Sequence, residues 1–78
     1  MTQSVFSARY DLLRETLVRA RREAGLTQAE LAIRLAKPQS YVSKIERGER
    51  RIDIVELIDI SRALGIATEC LLRQIDSR

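Results

Sequence analysis

Histidine and tryptophan are absent from this sequence, and cysteine, proline and methionine occur once each. Without an imidazole, and with its one thiol in a predicted helix away from any base in the motif described below, the chain has no parts for a Ser/Cys–His nucleophile or for His/Cys zinc spacing. Its three glycines are scattered, so no glycine-rich phosphate loop forms either. Catalysis, a metal, a cofactor and a small-molecule substrate are therefore not expected. The lone Cys70 has no partner for an internal disulfide, which leaves nothing to imply an oxidising compartment, and a buried or half-buried packing position is expected for it. No apolar stretch approaches the roughly 20 residues a membrane span needs. The segment Met1 to Tyr10 also lacks the basic-then-apolar layout of a signal peptide, so no membrane and a cytoplasmic location are expected. Aromatics at 4% and few helix breakers argue against strands and for an all-α chain.

What is present suits one small folded unit. The 78 residues are read as a single domain, 1–78, with a modest core that folds alone or as a dimer. Hydrophobic residues at 45% and charged residues at 32% suit a folded domain and argue against a disordered tail. The net charge is only +3, but it is unevenly placed. From Leu26 to Asp53 six basic residues face four acidic ones, a balance of +2, and from Ile54 to Arg78 three face four, a balance of −1. A basic middle fits contact with phosphate, and a solvated mixed-charge face fits as well.

Periodicity places five helices. Phe6, Tyr10, Leu13, Leu17, Arg21 and Ala24 recur at three- and four-residue steps along a first amphipathic helix that Gly25 ends. Thr27 followed by Glu30 forms a capping box for a second helix, with Leu31, Ala32 and Leu35 inward. Pro38 disfavours helical geometry at Lys37 and suits a first turn, so the chain breaks at Ala36-Lys37 and a third helix runs from about Pro38 to Arg47, closed by Gly48. Val42 and Ile45 are its apolar positions. Asp53 caps a fourth helix carrying Ile54, Leu57, Ile60, Ser61 and Leu64, ended by Gly65. A fifth begins near Thr68, with Glu69 in its first turn and Leu71, Leu72 and Ile75 as apolar positions.

The second and third helices are joined by about three residues, and so short a connection forces a steep crossing, the helix-turn-helix geometry. In such a pair the second helix presents its N-terminal side chains to base edges in the major groove. The outward positions here, Gln39, Ser40, Ser43, Lys44 and Arg47, are all polar and able to bond bases or phosphates. The run LTQAELAIRLAKPQSYVSKIERG, Leu26 to Gly48, resembles the helix-turn-helix of the Cro and C1-type phage repressors, the xenobiotic-response-element-like (XRE) family of bacterial and phage regulators. The resemblance extends from about Arg21 through Ile66 and includes the ALG turn at Ala63 to Gly65.

That resemblance implies a five-helix lambda-repressor-like fold and sequence-specific double-stranded DNA binding by a transcriptional regulator, a repressor first of all. It implies base reading by Gln39, Ser40 and Lys44, and phosphate contacts by Thr27, Gln28, Ser43, Arg47, Arg50 and Arg51. Tyr41 either donates to phosphate or packs at the core edge. Arg21 and Glu46 match a buried ion pair of the family, and Ala36 stands where the family usually has Gly. Relatives of this type bind pseudo-palindromic operators as homodimers, which makes 27–47 the motif core and 54–78 the candidate dimerisation segment. Leu72 and Ile75, with Ile58 or Val55, either form that interface or, with Leu71, close the monomer core. The alternative partner is a protein: an antitoxin bound to its toxin, or an adaptor.

Overall fold

The computed structural model describes residues 8–76, which form five α-helices and, among these residues, no strand. They are α1 (Ala8–Glu23), α2 (Gln28–Leu35), α3 (Gln39–Glu46), α4 (Ile54–Leu64) and α5 (Thr68–Asp76). Phe6 lies outside the described residues. The expected all-α, five-helix architecture is the one found.

Four of the five helices end in the same way. The residue after the last turn, Gly25, Ala36, Gly48 or Gly65, has a positive φ, and its amide and the next one fold back on the helix carbonyls. After α2 these bonds run from Ala36 N–H to Ile33 O and from Lys37 N–H to Ala32 O, both at 3.0 Å. Ala36 is the one alanine among them, at φ 57°, so the backbone expected to favour glycine is left-handed and a Cβ is carried there under strain. Pro38 then stands extended, at φ −68° and ψ 156°, as the N-cap of α3. The helix therefore starts at Gln39, one residue later than expected.

Capping boxes start α2 and α4. Thr27 Oγ1 accepts from Glu30 N–H at 3.1 Å while Thr27 N–H donates to the Glu30 carboxylate at 2.8 Å. Asp53 and Glu56 do the same for α4 at 2.7 and 3.0 Å. Glu56 thus joins the expected Asp53 cap.

Every helix contributes to the core. Leu17 and Ala20 of α1, Leu31 and Ala32 of α2, Val42 and Ile45 of α3, Leu57, Ile60 and Leu64 of α4 and Leu71 of α5 are buried together. Leu35 and Tyr41 pack at its fringe. The α2–α3 pair lies against α1 and α4, while α5 covers α1 and α4. Ser61, fully buried, bonds Thr68 Oγ1 at 2.5 Å and so ties α4 to the start of α5.

Several expected inward positions are exposed. Ala24 faces solvent because α1 has already ended at Glu23. Ile54, the first residue of α4, is 58% exposed. Cys70 is exposed, contrary to the buried or half-buried place expected, because α5 turns its neighbour Leu71 into the core instead. Of Leu71, Leu72 and Ile75, Leu71 is wholly buried, Ile75 half-buried and Leu72 43% exposed.

Candidate nucleic-acid interface

α3 is a two-turn rod with two unlike sides. Val42 and Ile45 are buried at 2% and 4% exposure, so the helical repeat leaves Gln39, Ser40, Lys44 and Arg47 outward and exposed, with Ser43 half-buried between them. The structure thus gathers the expected base readers on one stripe. Ser43 Oγ donates back to Ser40 O at 3.3 Å, which leaves its lone pairs as acceptors.

The rod is anchored from behind. Arg21 Nε donates to Glu46 Oε2 at 2.7 Å and Nη2 to Oε1 at 3.1 Å, with the two side chains about a tenth exposed, at 10% and 9%. The third arm of Arg21, Nη1, donates to Leu26 O at 2.7 Å. Gln28 Nε2 also donates to Glu46 Oε1, at 2.8 Å. Gln28 is therefore oriented by the ion pair, with its carbonyl oxygen and second N–H left over from that bond. Thr27 beside it is occupied as the cap of α2.

Tyr41 is half-buried with two cations near its ring. Lys37 Nζ lies 5.2 Å and Arg50 Cζ 4.7 Å from its ring centroid. Burial, and after it the charge of Glu56, pushes the phenol pKa above its ordinary value. Arg50 in turn holds Glu56 in a two-pronged pair at 2.9 and 3.2 Å and donates to Arg51 O at 2.9 Å. The Arg50 side chain, followed by the Asp53 amide, draws the Glu56 pKa down to about 2. Arg51 places its guanidinium 4.0 Å from the centre of the Tyr10 ring on α1.

Each of the three arginines expected to clamp phosphate thus has an intramolecular partner. Arg47 pairs with Glu49 at 2.9 and 3.1 Å, and at 56% and 55% exposure that pair is washed by solvent and weak. The Arg47 pair can exchange for a phosphate at little cost. Arg50 is bound into the cap of α4, and its place there is structural first.

Two contacts had no counterpart in the sequence reading. Arg14 of α1 donates from Nη1 to Glu46 O at 2.9 Å, and Arg34 of α2 donates from Nη1 to Ala63 O at 2.9 Å near the end of α4. An arginine aimed at a distant carbonyl leaves no spacing signal. The Asp53–Glu56 box did carry a local signal, D-x-x-E, beyond the Asp53 cap expected. Among the described residues no cluster of ligating side chains could hold a metal ion, and no helix is long and apolar enough to cross a membrane.

A polar-faced α3 packed against α2 across a left-handed turn and locked to α1 by a buried ion pair defines a helix-turn-helix. The helix-turn-helix family model matches residues 17–69. The chain belongs to that family, in its XRE-type branch, and is a DNA-binding transcriptional regulator. Over 56 residues it is 39% identical to an uncharacterized HTH-type transcriptional regulator, y4dJ, of Sinorhizobium fredii, a match covering 72% of this chain and 73% of that protein. Among solved structures it is similar to an XRE-family like protein from Pseudomonas syringae pv. tomato, at 47% identity and a TM-score of 0.86 over 90% of this chain and 85% of that one. It is also similar to the restriction-modification controller protein C.Esp1396I, at 28% identity and a TM-score of 0.77 over 90% of this chain and 97% of that one. The latter was solved as a tetramer in complex with its natural 35 base-pair operator.

Proposed function

We propose that the chain represses transcription by occupying a pseudo-palindromic operator as a homodimer, with α3 of each protomer in the major groove. The observation that carries this reading is the outward stripe of α3, exposed and polar on a rod whose other side is buried and anchored. Gln39 at the N-terminal end matches an adenine edge, Lys44 one turn on reaches guanine O6 and N7, and Ser40 accepts several bases. In this reading Thr27, Gln28, Tyr41, Ser43, Arg47, Arg50 and Arg51 supply the phosphate contacts, with Arg47 in an exposed ion pair and Arg50 bound to Glu56. Residues 1–78 act in this reading as one domain in the cytoplasm, where the DNA is, with 27–47 as its motif core.

The dimer follows from the small footprint of one α3 and from the apolar surface left on 54–78. Ile54, Val55 and Leu72 are exposed at 58%, 61% and 43%, and an open groove lined by Ile54, Ile58, Ile66 and Leu72 runs between α4 and α5. A relative that assembles on its operator, C.Esp1396I, supports a multi-protomer arrangement. The same apolar surface favours the second reading, in which it seats a protein partner such as a toxin.

Selection from a random duplex library tests the first reading. The wild-type chain is expected to enrich a two-fold symmetric site, and Gln39→Ala and Lys44→Ala are expected to relax particular base pairs within it. Enrichment of no site, with weak duplex binding that is flat in salt, would leave the protein-partner reading standing.

A further inference from the structure

We propose that Arg14 is a positioning residue for DNA recognition: it fixes the C-terminal end of α3, and the turn that carries Arg47, without itself touching the duplex. The proposal rests on the reading that α3 enters the major groove.

A helix of eight residues is oriented largely by what holds its ends. At its start, Pro38 offers no side-chain cap bond. At its end, the carbonyls of Ser43, Lys44 and Ile45 are taken by the amides of Arg47, Glu49 and Gly48 as the chain turns back. The next carbonyl, that of Glu46, accepts from Arg14 Nη1 at 2.9 Å across 32 residues of chain. A cation at this place is also favoured by the helix dipole.

The stem of Arg14 adds a second contact. A Cβ built on Gly48, which sits at φ +79°, would lie 3.4 Å from both Cδ and Nε of Arg14, so the side chain lies directly over the backbone of the turn. Arg21 and Gln28 hold the Glu46 carboxylate, whereas Arg14 holds its peptide oxygen. That difference matters because a side-chain tether acts on the Glu46–Arg47 peptide only through Cα, whereas the Arg47 N–H bond to Ser43 O holds that peptide from one edge. The bond from Arg14 holds the opposite edge, at the carbonyl, so the rigid plane is pinned on both sides at the point where Arg47 leaves the helix. Another arm of the Arg14 guanidinium faces Asp11 at 3.7 Å, and the side chain is 28% exposed. Two of its arms are thus engaged within the fold, one at the Glu46 carbonyl and one beside Asp11.

Two variants separate positioning from direct contact and from general stability. Arg14→Met keeps the stem and removes the donor, while Arg14→Lys keeps a cation and a donor. The probe is the duplex selected by the wild-type chain, titrated at several salt concentrations, with amide exchange followed on the protein alone. Arg14→Met is expected to weaken binding about tenfold, the order of one charge-assisted hydrogen bond, with an unchanged slope of log affinity against log salt. Arg14→Lys should recover much of that loss. Exchange at Arg47, Gly48 and Glu49 should quicken in Arg14→Met while Leu31 and Ala32 in the core stay protected.

Wild-type affinity in Arg14→Met would overturn the proposal. So would a salt slope reduced by about 0.9, the mark of a lost phosphate contact, or exchange rising equally throughout the core. If the wild-type chain bound no duplex, the DNA reading would fall and this role with it. The exchange pattern would then still decide whether Arg14 holds this end of α3.

Discussion

Ala36 holds a left-handed backbone, φ 57°, in the turn that sets α2 against α3. Left-handed geometry costs a non-glycine residue roughly 1–2 kcal/mol, partly offset by glycine's greater freedom in the unfolded chain. Ala36→Gly is therefore expected to stabilise the fold by up to about 1 kcal/mol, read as a higher urea midpoint at an unchanged m-value. Thr16 carries a different cost, since its hydroxyl is buried, at 2% residue exposure, with no hydrogen-bond partner. Thr16→Val keeps the shape, removes the unsatisfied group and should add about 1 kcal/mol. A thermal midpoint at or below that of the parent would refute the idea. Arg21 stands at the opposite extreme, because its loss strands the Glu46 carboxylate in a site that is 9% exposed. Arg21→Met is expected to cost about 3–5 kcal/mol, and the Arg21→Met, Glu46→Leu double variant less than the two single losses combined. Simple additivity in that cycle would mean the pair is not coupled.

Single elements tie stability to pH and affinity to salt. At the start of α4, Glu56 has a folded pKa of about 2, against an ordinary value of 4.5. A depressed carboxyl pKa contributes stability that is fully present above the unfolded value and is lost as pH falls through the folded one. Between pH 4.5 and about 2 the wild-type chain should therefore lose stability that Glu56→Gln, already lacking the charge, does not lose. Denaturant midpoints of the two chains across that window should converge, and parallel curves would contradict the assignment. At the end of α3, Glu49 sits on Arg47 and competes with any phosphate for it. Glu49→Gln is expected to raise affinity for random duplex several-fold and to steepen the salt slope by up to about 0.9 as Arg47 joins the phosphate contacts. An unaltered titration would show that Arg47 points away from the DNA.

At the scale of the molecule, charge and apolar surface are segregated by the chain's order. The stretch Leu26 to Asp53, with its balance of +2, supplies α2, α3 and the following turn, whereas 54–78 supplies the exposed apolar groove. If that groove joins two protomers, Leu72→Lys should leave the fold intact, because Leu71 beside it is the residue that closes the core. Sedimentation of the variant across a concentration series should then show monomer where the parent is dimer. A dimer unchanged by Leu72→Lys would move the interface elsewhere.

Local chemistry was enough to divide this chain. Glycines after α1, α3 and α4, the Thr27–Glu30 and Asp53 caps, Pro38 and the three- and four-residue apolar spacing act over a few residues, so helix number, boundaries to within about a residue and the inward faces of α2 and α3 could be read directly. The same spacing exposes Gln39, Ser40 and Lys44, since a side buried at Val42 and Ile45 leaves one side over. The Arg21–Glu46 pair was reached only through family resemblance, as no local rule joins residues 25 apart. Which end residues of a stripe lie outside was not legible: Ala24, Ile54, Cys70 and Leu72 depend on where neighbouring helices stop. Nor were the partners of Arg14, Arg34, Arg47 and Arg50. A long cationic side chain reaches several candidate acceptors, and only the packed arrangement of helices decides which one it meets.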